Sequence, residues 1–258
     1  MRRLRNVQID PVTTIAWLAG TLLFFVAWEV IGQSGRYYSI PPMTDTVSTL
    51  WDAIVSGDLI GPTAATVSIA AIGFVISVVA GILLGLAIGS SKLVADVLEP
   101  MLNAAYGAPI VVFIPVITLY MGSEVRGKVA LVVLFCIFAI VMNTAAGVRN
   151  VEPGLREMGR AFGVTGLRYY WGIVLAGALP QIFTGVRIAS GRAIQGVLLG
   201  ELLLRVDNLG FFMVDASSRF NIPRLVAGTF FVALLAFALM AVVRLIENRI
   251  LRWKLPAG

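Results

Sequence analysis

The stretch from Thr63 to Gly89 reads TAATVSIAAIGFVISVVAGILLGLAIG and contains 27 residues without a charged side chain. As an α-helix it rises about 40 Å at 1.5 Å per residue, which exceeds the roughly 30 Å hydrocarbon core of a bilayer. Because lipid offers no hydrogen-bond partners, an isolated segment of this kind satisfies its backbone as a helix. The stretch therefore predicts a membrane-spanning helix in an all-α, polytopic membrane protein.

Small residues recur at every fourth position of this stretch. They are Gly73, Ser77, Gly81, Gly85 and Gly89. Residues at this spacing share one helix face, so the five form a smooth ridge that a second helix can approach closely. Glycine lowers helix propensity, and its repetition in register indicates a packing seam within the chain. A pore-lining face or a contact between two copies is the alternative.

Five further apolar stretches surround this one, and each is long enough to cross a bilayer. Their predicted boundaries are about 13–31, 100–121, 128–147, 181–204 and 225–246, and prolines 109 and 115 interrupt the third of the six spans. The polar connection before Thr63 contains a short amphipathic helix over about Val47–Val55, and residues 205–223 are predicted to be a loop. The organisation is an N-terminal segment, 1–62, with a tail, the first span and an outer loop, and a five-helix core, 63–258.

The composition of the 258-residue chain agrees with six spans. Hydrophobic residues make up 59% and charged residues 13%, with a mean hydropathy of +0.91, whereas soluble domains average about 45–50% and about 25%. These values exclude a disordered chain, a disulfide scaffold and a coiled coil. The chain has no histidine and a single cysteine, Cys136, so a Ser-His-Asp triad is impossible and the commonest zinc ligand is missing. No catalytic residue, metal site or cofactor is predicted for this chain.

The segment Gly122–Val129 reads GSEVRGKV and nearly matches a phosphate-binding P-loop. Val129 stands where that motif has the serine or threonine that binds Mg²⁺, and apolar spans flank the segment in place of a strand and a helix. The match is interpreted as chance, and the chain itself is not expected to bind ATP.

The basic residues favour a cytoplasmic location for both termini. With that orientation the predicted inner segments hold eleven basic residues and the outer segments six, in agreement with the positive-inside rule. The inner ones are Arg2, Arg3, Arg5, Lys92, Arg149, Arg156, Arg160, Arg168, Arg249, Arg252 and Lys254. The outer ones are Arg36, Arg126, Lys128, Arg205, Arg219 and Arg224. The net charge of +6 therefore reflects membrane topology, and nucleic acid is not a predicted partner.

The predicted spans contain few charged residues, and the candidates among them are Glu29, Arg187, Arg192 and Glu201. Intramembrane charges mark functional sites by default. Arg192 and Glu201 lie on opposite helix faces, and Arg187 and Glu201 are about 21 Å apart along the axis, so no pairing among these charges is predicted. Arg187 and Glu29 can snorkel from helix ends, while Glu201 either lines a cavity or hydrogen-bonds to a neighbouring helix. The candidate pathway residues are Asn103, Tyr106, Asn143, Thr144, Arg192, Gln195 and Glu201.

The most informative connection is the basic segment 148–170, which the predicted orientation places in the cytoplasm. Residues Glu152–Trp171 read EPGLREMGRAFGVTGLRYYW. Gly163 can end a first helix and Thr165 can cap a second, so the pattern predicts a helix–turn–helix outside the bilayer. Its apolar residues either dock on a soluble subunit or lie on the membrane surface as an amphipathic helix.

This spacing resembles the EAA loop of the permease subunits of binding-protein-dependent ABC importers. That loop has Glu-Ala-Ala, three residues, Gly, nine residues and Ile-x-Leu-Pro, and the matching positions are Glu157, Gly163, Ile173 and Leu175. The departures, in place of the two alanines and the proline, are Met158, Gly159 and Ala176. A later proline at 180 is similar to the branch that imports nitrate, sulfonate, taurine and bicarbonate.

Resemblance to that branch extends from about Pro41 to Trp253. The matching segments are Ile40-Pro41-Pro42 with Thr46-Val47, Thr66-Val67-Ser68, Gly73-Phe74, Gly81, Leu84-Gly85, Asn143-Thr144, Gly147, Gly185-Val186-Arg187, Glu201 and Asn208-Leu209-Gly210. Tyr106-Gly107-Ala108-Pro109 stands where the branch has Arg-x-x-Pro, which puts the substrate range in doubt more than the fold. The resemblance implies a six-helix, type I ABC importer permease in the bacterial inner membrane.

The resemblance also implies partners and a role for the loop. The expected partners are a second permease copy, two cytosolic ATPase subunits that bind ATP and Mg²⁺, and an extracytoplasmic binding protein, which would meet the outer loops at 33–62 and 205–223. The EAA loop spans about 148–180, and residues of about 156–170 would form the coupling helices, with Glu157 orienting them. The expected ATPase-coupling residues are Glu157, Arg160, Ala161, Phe162, Gly163, Val164, Thr165 and Leu167.

The expected function is ATP-driven import of a small solute, with an anion such as nitrate, a sulfonate, taurine or bicarbonate favoured. Import of a neutral vitamin precursor or an aromatic compound by the same kind of machine is an alternative. An ion-coupled secondary transporter is another, although such proteins often carry inverted repeats and the two halves of this sequence show none. A membrane-embedded enzyme is disfavoured because histidine and clustered carboxylates are missing.

Overall fold

The computed structural model describes residues 11–204 and 208–251, and their regular secondary structure is helical. In chain order the elements are α1 (Pro11–Gln33), α2 (Met43–Val55), α3 (Ile60–Ser90), α4 (Lys92–Gly107), a 3₁₀ turn (Ile110–Phe113), α5 (Ile114–Met121), α6 (Val125–Arg149), α7 (Pro153–Ala161), α8 (Gly166–Tyr169), a π-helical turn (Tyr170–Leu175), α9 (Ala176–Leu204), α10 (Leu209–Ser218) and α11 (Ile222–Ile250). Several basic residues of the topology prediction lie outside the described residues: Arg2, Arg3, Arg5, Arg205, Arg252 and Lys254.

Within residues 11–204 and 208–251, five helices are long and apolar enough to cross a membrane, and a bent pair can serve as a sixth. The straight ones are α1, α3, α6, α11 and the continuous helix over 166–204. The pair is α4 with the short helices that end at Met121, and its two arms meet at 96°. The six-span prediction is therefore confirmed in outline, with one span bent at about a right angle.

The bend in the third span has a local cause. Ala108 is extended, with φ −73° and ψ 144°, as expected for a residue that precedes a proline. Pro109 has no N–H to continue the helix, whereas Pro115 starts α5, where a proline is well tolerated. The predicted start of the span at Pro100 is wrong, because Pro100 lies inside α4, which begins at Lys92.

The ridge of small residues on α3 packs against α6. A Cβ atom at Gly73 would lie 2.6 Å from Cβ of Val132, and one at Gly81 would lie 2.8 Å from Cγ2 of Ile140. One at Gly89 would lie 2.6 Å from Cβ of Val148. The predicted packing seam is confirmed as an interface within the chain. Because α6 also packs closely against α9, and α9 contacts α3, these three helices form the core.

Two connections differ from prediction. Residues 205–223 were predicted to be a loop, yet they contain α10, whose apolar side chains pack against α9 and α11. The second helix of the predicted helix–turn–helix is α8, and it runs without interruption into α9. The helix of the fifth span thus begins at Gly166, 15 residues before the predicted Gln181, and contains Pro180 in its interior.

The first helix lies at the edge of the bundle and is mostly exposed. It is attached near its C-terminal end, where the Trp28 ring stacks on Phe230 at 5.3 Å and its Nε1 donates to the Pro41 carbonyl at 3.0 Å. Glu29 accepts from the backbone N–H and the hydroxyl of Thr44, at 3.1 and 2.8 Å. Glu29 therefore binds the first turn of α2.

Candidate functional site

Glu201, near the C-terminal end of α9, is the most enclosed charged residue of the described chain. It has no exposed surface. The Thr66 hydroxyl of α3 lies 2.9 and 3.0 Å from its two carboxylate oxygens, the Asn208 amide donates to Oε1 at 3.0 Å, and the Gly210 N–H donates to Oε2 at 3.0 Å. Three separate chain segments thus meet at one carboxylate, which fixes the start of α10 against α3.

Two candidate pathway residues are packing residues in this conformation. Thr144 has no exposed surface because it faces Gly85 across the α3–α6 seam, and Glu201 is enclosed as described above. Neither side chain can line a pathway here, since helices of the same chain surround both. For Glu201, the hydrogen bond to a neighbouring helix is the alternative that the structure supports.

The other candidates are accessible, and several lie along one face of α9. Arg192 and Gln195 on this helix are half-buried and exposed, respectively. Gln181 is exposed eleven residues before Arg192, which places all three within about 60° of one another at 100° per residue. The Gln181 amide donates to Oδ1 of Asn143 on α6 at 3.2 Å. We call Asn143, Gln181, Arg192 and Gln195 the polar stripe.

Gln181 is a member of this stripe that the sequence interpretation missed. Its spacing from Arg192 and Gln195 was the available signal, because positions 181, 188, 192 and 195 follow the repeat of one helix face. Assigning residue 181 to the end of the span concealed that repeat. In the structure the helix extends well beyond it.

Arg192 contacts the bent span. Its Nη2 donates to the Tyr106 hydroxyl at 3.0 Å, and its guanidinium carbon lies 5.3 Å from the centre of the Tyr106 ring. Tyr106 is exposed in the last turn of α4, its ring lies 6.3 Å from that of Phe138 on α6, and Asn103 is exposed one turn earlier. An arginine at the centre of a membrane helix costs about 2.5–3.5 kcal/mol on insertion scales. That cost is lower where the arginine faces a bundle interior or a water-filled cavity.

Arg187 differs from Arg192 because it has a carboxylate partner. Its Nη2 lies 2.7 Å from Oε1 of Glu247 near the end of α11. Arg187 was predicted to be able to snorkel and was given no partner, whereas the structure pairs it with Glu247. Glu247 lies one residue beyond the predicted end of the sixth span at residue 246. The helix α11 continues to Ile250, so Glu247 belongs to the same helix.

The connection between α7 and α8 is a rigid turn. Gly163 has φ +68°, its N–H donates to the Arg160 carbonyl at 2.9 Å, and the Val164 N–H donates to the Gly159 carbonyl at 2.9 Å. These two bonds form a Schellman motif, which favours glycine at the left-handed position. The predicted helix end at Gly163 is confirmed. Thr165 occupies the cap position of α8, but its side chain makes no capping hydrogen bond.

Helix α7 is anchored to the body of the protein. A Cβ atom at Gly159 would collide with Cδ1 of Ile173, so the helix approaches the π-helical turn closely. The Arg156 guanidinium donates to the Val148 carbonyl at the end of α6. Gly159 stands where the EAA pattern has its second alanine. An alanine at this position would require the end of the Ile173 side chain to move.

The predicted coupling residues form a surface directed away from the bundle. Val164 is half-buried, and the other seven are exposed: Glu157, Arg160, Ala161, Phe162, Gly163, Thr165 and Leu167. The Phe162 and Leu167 side chains are 80% and 77% exposed, and Met158 adds a further apolar group. The Glu157 side chain makes no hydrogen bond within the described residues. Its predicted role in orienting the loop therefore has no supporting contact in this structure. We call Met158, Phe162 and Leu167 the apolar knob.

Among residues 11–204 and 208–251, no three acidic or cysteine side chains lie close enough together to hold a metal ion. The segment that resembled a P-loop is split between a turn at Gly122, with φ +79°, and the start of α6 at Val125. It therefore lacks the strand and loop that cradle a nucleotide phosphate.

Comparisons with known proteins agree with this architecture. A family model described as "Binding-protein-dependent transport system inner membrane component" matches residues 77–252. A Bacillus subtilis (strain 168) permease named for transport of aliphatic sulfonates is 28% identical over 243 residues, covering 92% of this chain and 88% of that protein.

Two further relatives are named for different solutes. A formylaminopyrimidine transport permease of Halalkalibacterium halodurans is 29% identical, covering 90% of this chain and 93% of its own length. A nitrate import permease of Leptolyngbya laminosa is 27% identical, covering 89% and 86%. The family decides against the ion-coupled secondary transporter and the membrane-embedded enzyme. The chain belongs to the binding-protein-dependent transport system inner membrane components, and it is a multi-pass permease subunit of an ABC importer.

Proposed function

We propose that two copies of this chain enclose a pathway for a small anion, with ATP and Mg²⁺ bound by two separate cytosolic ATPase subunits that dock on the loop around the apolar knob. The observation that carries the docking proposal is the exposure of three apolar side chains on a segment that is otherwise firmly anchored. Rigid, exposed apolar groups surrounded by charged residues such as Arg160 are typical of protein contact sites.

A Phe162→Ser variant tests the docking role. Because Phe162 is 80% exposed, its loss should leave thermal stability within about 0.5 kcal/mol of wild type. We expect about a 10-fold or greater loss of affinity for the ATPase subunit, the effect of removing an interface hot spot. The measurement is co-purification in mild detergent, followed by titration of the permease with the ATPase.

The matched control for this variant is Leu93→Ser. Leu93 is 77% exposed at the start of α4, outside the apolar knob, and the proposed topology puts it on the same side of the membrane. It should bind the ATPase as wild type does. Unchanged affinity in Phe162→Ser, or an equal loss in Leu93→Ser, would contradict docking at the knob.

The polar stripe supports a pathway that a second copy completes. Polar side chains at membrane depth on an exposed face are unfavourable against lipid, and such residues face a bundle interior or a water-filled cavity. A second copy placed against this face would enclose it. Among the original candidates, Asn103, Tyr106, Asn143, Arg192 and Gln195 keep this role under the proposal.

The proposed substrate is a small anion delivered by an extracytoplasmic binding protein, which the outer segments 33–62 and 208–223 would meet. The relatives named for sulfonates and nitrate support an anion. The relative named for formylaminopyrimidine favours a neutral vitamin precursor as the second candidate. Thermal stability of the partner binding protein is measured with nitrate, taurine and a pyrimidine. Stabilisation by nitrate or taurine supports an anion, and stabilisation by the pyrimidine supports a neutral vitamin precursor.

The proposed orientation, with both termini in the cytoplasm, is tested by cysteine labelling. The native Cys136 is fully buried, so cysteines introduced at exposed positions can be labelled selectively. In oriented right-side-out vesicles, a membrane-impermeant maleimide should label Ser218→Cys and leave Thr165→Cys unlabelled until the vesicles are opened. The reverse pattern would invert the topology.

A further inference from the structure

Arg192 combines three properties that no other arginine in the described spans shares. It lies twelve residues before Leu204, about 18 Å along the helix axis, which is close to the middle of a roughly 30 Å hydrocarbon core. It is partly exposed. Among the described residues no carboxylate lies within ion-pair distance of it, whereas Arg187 pairs with Glu247.

We propose that Arg192 binds the anionic group of the transported solute, and that Arg192 donates a hydrogen bond to the Tyr106 hydroxyl when no solute is present. The proposal rests on the pathway proposed above. Guanidinium presents five N–H donors in a planar fork that matches the oxygen atoms of planar or tetrahedral oxyanions. In the structure the tyrosine hydroxyl uses one of those donors, at Nη2.

Solute and tyrosine compete for the same group. An oxyanion that makes a bidentate contact through the Nη2 proton now donated to Tyr106 replaces that hydrogen bond. A phenol hydroxyl is a neutral acceptor, and a charged oxyanion makes the stronger bond. The Tyr106 hydroxyl therefore accepts a hydrogen bond from the Arg192 guanidinium while the pathway is empty, and the anion replaces it on binding.

The location of Tyr106 links this exchange to the bent span. Tyr106 lies two residues before Ala108, where the helix breaks, and the five residues before it, 101–105, contain no proline or glycine. Release of its hydroxyl removes the side-chain hydrogen bond between the end of α4 and α9. Occupancy of Arg192 by an anion is thereby coupled to the freedom of the bend to move.

The experiment measures anion binding by the purified permease–ATPase complex in detergent. Thermal stabilisation is recorded against increasing sodium nitrate or sodium methanesulfonate, with sodium chloride holding ionic strength constant. We expect Arg192→Gln to raise the half-saturating concentration about 10-fold or more, as expected for loss of a charged hydrogen-bonding group. Tyr106→Phe should lower it about fivefold, because the competing hydroxyl is gone and the ring is retained.

The control and the opposing outcomes separate this inference from the proposed function. Arg126→Gln, at an exposed position at the start of α6, should respond to anions as wild type does. Equal stabilisation of wild type and Arg192→Gln, or weaker binding in Tyr106→Phe, would overturn the role of Arg192 while ATPase docking remains intact. Dissociation of the two permease copies in Arg192→Gln would instead place Arg192 at their mutual contact and would also overturn it.

Discussion

A Gly85→Val variant is expected to be less stable than wild type by about 3 kcal/mol, the upper end for overpacking a closely packed interior. A Cβ atom at this position would collide with the Thr144 side chain and would lie 2.8 Å from the Val141 carbonyl oxygen. Part of the obstruction is backbone, so α6 cannot yield by a change of rotamer. The helices α3 and α6 must separate, and the core formed with α9 loosens with them.

The measurement is thermal unfolding of the purified permease in detergent, compared with a variant that makes the same chemical change elsewhere. Gly20 lies in α1, where a Cβ atom would have no neighbour within 4 Å. Gly20→Val should therefore unfold close to wild type. Gly85→Ala should fall between the two, and equal stability of all three proteins would mean that the seam is not closely packed.

The second large effect is expected for Glu201→Ala. This change leaves the Thr66 hydroxyl, the Asn208 amide and the Gly210 N–H without their acceptor in a region closed to water. Each stranded donor costs about 1–3 kcal/mol, so a loss of about 3 kcal/mol or more is expected. Glu201→Gln should lose less, because its amide keeps one acceptor oxygen.

Glu124→Ala is the matched control for Glu201→Ala. Glu124 is exposed, and its side chain does not cap α6, so its removal should leave the unfolding temperature unchanged. Faster proteolysis around α10 in Glu201→Ala would locate the damage to the C-terminal end of α9. Wild-type stability of Glu201→Ala would contradict the view that this carboxylate holds α3, α9 and α10 together.

The sequence was sufficient to predict those structural features that depend on local properties of the chain, such as regular spacing along one helix. The ridge from Gly73 to Gly89 faces α6 as the repeat of four predicts, and the turn at Gly163 follows from the need for a left-handed residue. Both are local properties of the chain. The same holds for the spans, since hydropathy and length determine whether a helix can cross a bilayer.

Contacts between distant segments could not be predicted in this way. Arg187 and Glu247 are 60 residues apart, and their ion pair depends on how α9 and α11 cross. Burial of Glu201 likewise depends on Thr66, which is 135 residues away. The helix α10 escaped prediction because ten residues are too few for a span, and its stability comes from packing against neighbours.

The uninterrupted helix from Gly166 to Leu204 has a mechanical consequence. Its 39 residues form a rod about 58 Å long, with the turn at Gly163 attached to one end and Glu201 close to the other. We expect a displacement of the Gly166 end to reach the Leu204 end without crossing a loop, and any bending within the helix to occur at the π-helical turn, Tyr170–Leu175. Because Glu201 is hydrogen-bonded to Asn208 and Gly210, such a displacement would also move the start of α10.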